Sequence, residues 1–119
     1  MKILLIDDEP VANYILIRLL KLINSEYEIV DYTEPEKAVA DLTGIAPDLI
    51  FLDLNMPKLN GWGVLDAMIA QNSQVKVIIL TSSVSRIDQE KAQGYRNVKA
   101  CIAKPVTKDQ LSACINAHS

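Results

Sequence analysis

Three aspartates, Asp7, Asp8 and Asp53, a threonine, Thr81, and a lysine, Lys104, each follow a short aliphatic run. Brought to one place, they would make three carboxylates, a hydroxyl and an amine. Two carboxylates roughly 4 Å apart repel by about 4 kcal/mol at an effective dielectric near 20. Either their pKa values rise or a cation sits among them. Oxygen donors with no histidine or nearby cysteine favour a hard ion such as Mg²⁺, which keeps positions open for water or phosphate oxygens. Lys104 would add a second positive charge and Thr81 a donor. Phosphoryl transfer asks for little more than an oxygen nucleophile and charges that hold the equatorial oxygens. An aspartate can be that nucleophile, giving an acyl phosphate whose lability suits a switch.

Singly, each residue has a plainer reading. Asp7-Asp8 reads as a helix cap or solvated turn, and Asp53 as a turn residue. Thr81 reads as the cap of the fourth helix, Lys104 as a surface lysine and Pro105 as a turn proline. What sets them apart is that all lie at the ends of four aliphatic runs.

Those runs are 2–6, 48–52, 75–80 and 98–103, with a weaker fifth at 26–32. Their apolar character is continuous rather than alternating, as in parallel strands buried on both faces. Between them lie helical patterns. The first, over 11–23, has Val11, Ile15, Leu19 and Leu22 spaced for one buried face, with Pro10 tolerable in the first turn. In the second, Thr33 to Glu36 has capping-box spacing and opens a helix to about Thr43, before Gly44. The third covers 62–70. The fourth, 85–93, is the poorest, with Ile87 and Ala92 as its core contacts. In the fifth, Thr107 to Gln110 forms the cap and Leu111, Cys114 and Ile115 are buried. Five strands, each followed by a helix, predict a doubly wound α/β fold with helices on both sheet faces. Ligands in such sheets bind beyond the carboxyl ends of the strands, where the chemical residues stand.

The 119 residues suit one domain, 1–119, with one core. A net charge of −3 leaves no basic stripe for nucleic acid and no polybasic membrane anchor. No apolar run approaches the roughly 20 residues of a membrane span, and the N-terminus lacks a signal peptide's long apolar stretch. The expectation is a cytoplasmic protein that binds neither nucleic acid nor membrane. Cys101 and Cys114 form no metal or redox motif and read as buried, reduced thiols. The only histidine, His118, reads as part of a frayed tail without a catalytic role.

With Asp7-Asp8, Asp53-Leu54-Asn55-Met56-Pro57, Asn60-Gly61, Thr81-Ser82-Ser83 and Lys104-Pro105 in this order and spacing, nearly the whole chain resembles the receiver domains of bacterial response regulators. The resemblance implies a flavodoxin-like (βα)₅ fold with strand order 2-1-3-4-5, as in single-domain chemotaxis regulators. It implies Asp53 as phosphoacceptor, and Asp8, Asp53 and the backbone carbonyl of Asn55 as Mg²⁺ ligands, with Asp7 helping through water. Thr81 would bond the phosphoryl group, Lys104 would pair with one of its oxygens, and the Lys104-Pro105 bond would be cis. Asn55 and Ser83 would flank the phosphoryl group and tune hydrolysis, while the small Ser82 leaves the site open. The donor would be a sensor histidine kinase or a histidine phosphotransfer protein. The face of the fourth helix, fifth strand and fifth helix would then meet an unidentified downstream protein. Leu16, Ile17 and Leu20 widen the first helix's apolar stripe, either for packing or for docking a phosphotransfer domain. The chain departs from the pattern at Cys101, where many receivers carry an aromatic residue that rotates inward on activation. Tyr95 is the nearest aromatic in sequence. Gly61 and Gly63 read as allowing the turn into the third helix, and Trp62 as packing.

Competing readings fare less well. An aspartate-nucleophile phosphatase needs an acid two residues after the nucleophile, where this chain has Asn55. A flavodoxin-type cofactor binder needs a hydroxyl- and glycine-rich loop after the first strand, where this chain has Asp7 to Pro10. A degenerate receiver acting as a phosphorylation-independent scaffold is the alternative that Cys101 keeps open. The expected domain is a signalling module that catalyses only its own phosphorylation and dephosphorylation. Whether it stands alone or is a piece of a longer protein stays open.

Overall fold

The aliphatic runs become strands, and the segments between them become helices; the three central strands are buried on both faces as expected, whereas the two at the sheet edges, over 28–32 and 98–103, are only partly buried because each has one strand neighbour. The computed structural model describes residues 1–82 and 85–118. Along the chain run β1 (Lys2–Ile6), α1 (Pro10–Ile23), β2 (Glu28–Tyr32), α2 (Pro35–Ile45), β3 (Leu49–Asp53), α3 (Gly61–Ala70), β4 (Lys76–Thr81), α4 (Arg86–Gln93), β5 (Val98–Ala103) and α5 (Lys108–His118). The strands form one parallel sheet in the order β2-β1-β3-β4-β5. Successive side chains of a strand point to opposite faces. Leu4, Ile6, Ile50, Leu52, Val77 and Ile79 accordingly pack with Ala38, Val64, Leu65, Met68 and Ala92 of α2, α3 and α4. Ile3, Leu5, Leu49, Phe51, Ile78 and Leu80 pack on the other face with α1 and α5.

The helices correct several expectations. α1 buries Asn13, Leu16 and Leu20. Val11 is 68% exposed, Ile15 53% and Leu22 70%, so three of the four residues expected to face the core face outward instead, while Leu19 packs half-buried against the core. Most of α1 is aliphatic, so its spacing fits two stripes equally well, and the packing of Leu16 and Leu20 on the sheet selects one. In α2, Glu34 is the cap residue and caps with no side-chain bond, so the expected capping box does not form. Pro35 occupies the first turn instead, and the helix passes through Gly44 to end at Ala46 in a left-handed conformation (φ 47°). α4 is capped by Ser85, whose hydroxyl accepts from Asp88 N–H at 3.0 Å, not by Thr81. It buries Ala92 but leaves Ile87 outside. The cap of α5 forms as expected, and it is reciprocal: Gln110 N–H donates to Thr107 Oγ1 at 3.1 Å and Thr107 N–H to Gln110 Oε1 at 2.9 Å. His118 closes α5 rather than fraying, and its carbonyl accepts from Lys76 Nζ at 2.9 Å.

Gly61 lies inside α3 with no positive φ, so it serves close approach rather than a turn. A Cβ there would lie 2.8 Å from the Asp53 carbonyl oxygen and 2.8 Å from Leu54 Cα. Both are backbone atoms that cannot swing aside. Gly61→Ala is therefore expected to cost about 1–3 kcal/mol in urea unfolding, the usual range for overpacking. An unchanged midpoint would mean that the 54–60 loop yields freely.

Candidate functional site

The sheet order places β1 and β3 side by side at its centre, where the chain switches direction of winding, and ligand crevices open at such points. Asp53 is the last residue of β3 and is buried. Asp7 follows β1, also buried, and its N–H donates to Tyr32 O at 3.2 Å, extending the ladder one step past the strand. Asp8 is half-buried beside it. One oxygen from each of Asp7, Asp8 and Asp53 lies within 4.8 Å of the others.

Two further strand ends complete the crevice. Thr81 ends β4 with no exposure, and its Oγ1 accepts from Asn55 Nδ2 at 3.1 Å. Lys104 follows β5, its N–H donating to Thr81 O at 2.8 Å, and the Lys104-Pro105 bond is cis. Lys104 Nζ lies 2.6 Å from Asp7 Oδ2 and 3.9 Å from Asp53 Oδ2. Asp7 Oδ1 accepts from Glu9 N–H at 3.0 Å, so both of its oxygens are held. Asp53 Oδ1 accepts from Asn55 N–H at 3.2 Å.

The electrostatics are unbalanced toward negative charge. Burial pushes the Asp53 carboxyl above its ordinary range. The Asn55 N–H and Lys104 pull it down, while Asp7 and Asp8 push it up. A group that prefers its proton yet faces two more carboxylates gains from a cation. The donor set is all oxygen, which suits Mg²⁺.

The structure thus brings together Asp7, Asp8, Asp53, Thr81 and Lys104, and adds Asn55 through its N–H and side-chain amide. Ser82 is exposed, and Ser83 lies outside the described residues. Cys101 is half-buried in β5 and Cys114 is buried; both are free thiols raised in pKa by burial. Tyr95 does not reach the crevice: its ring stacks on Trp62 (centroids 5.6 Å apart), and its hydroxyl donates to Asp66 at 2.8 Å. Lys91 of α4 lies over the other partner of that stack, 4.7 Å from the Trp62 ring centroid. Asn13 escaped the sequence reading. Its amide donates to Asp7 O at 3.1 Å and Tyr32 O at 3.3 Å, beneath the acidic turn. Its only sequence signal is a polar residue three and seven positions before two leucines.

An acidic, lysine-bearing crevice at the switch point of a parallel sheet defines a domain class compatible with Mg²⁺ and with aspartate phosphorylation. The family model for the response regulator receiver domain matches residues 3–116. The probable transcriptional regulator ycf27 of Porphyridium aerugineum is 33% identical over 116 residues, covering 98% of this chain and 47% of that protein. Protein PilG of Pseudomonas aeruginosa is 29% identical over 121 residues, covering 99% and 87%. A two-component response regulator from Cytophaga hutchinsonii superposes with a TM-score of 0.86 at 28% identity, covering 98% and 94%. The chain belongs to the response regulator receiver domain family, the signalling modules of two-component systems. It spans less than half the length of several curated relatives it matches. Among the described residues, no helix is long and apolar enough to cross a membrane.

Proposed function

We propose that Asp53 accepts a phosphoryl group from a phosphohistidine of a sensor histidine kinase or phosphotransfer protein, and that the domain acts in the cytoplasm as a phosphorylation switch. An Asp53 oxygen attacks phosphorus, the P–N bond to the donor imidazole breaks, and the nitrogen takes up a proton. Asp8, Asp53 and the Asn55 carbonyl would hold Mg²⁺, with Asp7 assisting through water. The ion would offset phosphoryl charge when bound. Lys104 Nζ, 2.6 Å from Asp7 Oδ2 and 3.9 Å from Asp53 Oδ2, would pair with a phosphoryl oxygen. Thr81 Oγ1 would exchange its bond with Asn55 for one to the phosphoryl group. Asn55 and Ser83 would then tune hydrolysis, the domain's only other reaction.

The observation that carries this reading is the convergence of Asp53, Lys104 and Thr81 from three different strand ends on one acidic crevice. The outward stripe of α1 supports the choice of donor. Ile15, Leu16, Leu19, Pro105 and Val106 line an apolar crevice of about 390 Å³ that reaches Asp7 and Lys104. A phosphohistidine-bearing helix laid there would deliver its imidazole toward Asp53. On the output side, α4 buries one residue, Ala92, and such a segment shifts at low cost. The face of α4, β5 and α5 would present that shift to a downstream protein.

The test is an intact-mass measurement after incubation with a small phosphodonor, with and without Mg²⁺. One added phosphoryl group that requires Mg²⁺ is the expected result. No addition under either condition would overturn the switch and favour the phosphorylation-independent scaffold.

A further inference from the structure

Asn13 occupies a position where an apolar residue would serve stability better. It sits on the buried face of α1, in line with Leu16 and Leu20, and is 1% exposed. Its Oδ1 is buried with no hydrogen-bond partner among the described residues. Leaving a buried acceptor unpaired costs about 1–3 kcal/mol. Asparagine is also a poorer helix former than leucine. Its contribution lies in the NH₂ group. One amide reaches both the carbonyl of Asp7 and the carbonyl of Tyr32. Tyr32 O in turn accepts from Asp7 N–H. The main chain of Asp7 is thereby held on both sides, at the point where β1 becomes the acidic turn.

That turn needs holding. One oxygen from each of Asp7, Asp8 and Asp53 lies within 4.8 Å of the others, and the mutual repulsion of these carboxylates drives the turn away from β3. Lys104 and Glu9 N–H fix the Asp7 carboxylate, but among the described residues only Asn13 ties the Asp7 carbonyl to a helix and to a second strand. We infer that Asn13 is a positioning residue for the metal site: it holds the Asp7-Asp8 turn in reach of Asp53 and thereby sets the affinity for Mg²⁺. The inference rests on the reading that this cluster takes Mg²⁺.

The experiment compares the wild-type chain with Asn13→Leu and Asn13→Thr. Titration calorimetry reads Mg²⁺ affinity, and amide hydrogen exchange in metal-free buffer reads the turn itself. Groups that orient metal ligands typically account for about 10–100-fold in affinity. Asn13→Leu is expected to weaken Mg²⁺ binding by about 10-fold or more and to speed exchange at Asp8 and Glu9. Asn13→Thr keeps one donor and is expected to fall between. At saturating Mg²⁺ the phosphorylation rate should return close to wild type, because no reacting atom is lost. Unchanged affinity and unchanged exchange in Asn13→Leu would overturn the inference. So would a rate that stays low at saturating Mg²⁺, which marks general damage to the fold. Wild-type protein that binds no Mg²⁺ would overturn the underlying reading, whereas faster exchange in the variant would still uphold Asn13 as the pin of the turn.

Discussion

Asp53→Asn is expected to abolish phosphoryl uptake and, in metal-free buffer at neutral pH, to raise the unfolding midpoint. The first effect follows from replacing the carboxylate at the end of β3 by an amide, whose oxygen is a poor nucleophile. The second follows from the carboxyl's surroundings. Burial, with Asp7 and Asp8 adding to it, raises the Asp53 pKa above its ordinary 3.8, against the pull of Asn55 N–H and Lys104. Between the ordinary and the raised pKa the native state binds more protons than the unfolded chain. Stability therefore falls as pH rises through that window, and the cost is complete once pH exceeds the raised pKa. The asparagine carries no such cost. Its advantage should close as pH falls toward the ordinary carboxyl value, where aspartate is protonated in both states. Mg²⁺ should raise the wild-type midpoint, because a ligand of the native state stabilises it, and should help the variant less. Thermal unfolding across pH, with chelator or with Mg²⁺, reads both effects. A variant no more stable than wild type at pH 7 without metal would show that the crevice bears its acid load without strain.

Lys104→Met should slow phosphoryl uptake by about 10²–10³-fold, the usual loss when one group that stabilises a transition-state charge is removed. Methionine keeps much of the stem and deletes the charge. The Asp7 oxygen 2.6 Å from Nζ then loses its partner, and the charge 3.9 Å from Asp53 disappears. Because Lys104 pulls the Asp53 pKa down, its loss moves that pKa further up. The metal-free variant should thus be less stable than wild type at pH 7 and recover on acidification, the opposite sign from Asp53→Asn. Single-turnover phosphorylation from a small phosphodonor measures the rate, and denaturant titration the stability. Uptake at the wild-type rate would remove Lys104 from the chemistry.

The strands were legible because their signal is local. Runs buried on both faces read as continuous aliphatic stretches, and the structure moves the strand ends by at most two residues, so that Asp53 and Thr81 end β3 and β4 rather than follow them. The candidate site was legible by residue type, since few chemistries want three carboxylates, a hydroxyl and an amine at successive strand ends. The helix faces were less so. On α1 almost any stripe is apolar, and choosing Leu16 and Leu20 over Val11, Ile15 and Leu22 required knowing which side met the sheet. The same choice turns Asn13 inward, so its link to Asp7 was as hidden as the face itself.

Sequence alone determined the alternation of elements, the family resemblance and the set of acidic, hydroxyl and amine groups, because each depends on residue type and spacing along the chain. Only the tertiary structure decided that Asn55 holds Thr81, that Tyr95 is committed to Trp62 rather than to the crevice, and that Asn13 pins the acidic turn. Each of these joins residues from different elements. The directions of such bonds are set by how helices lie against the sheet, and no local pattern encodes that.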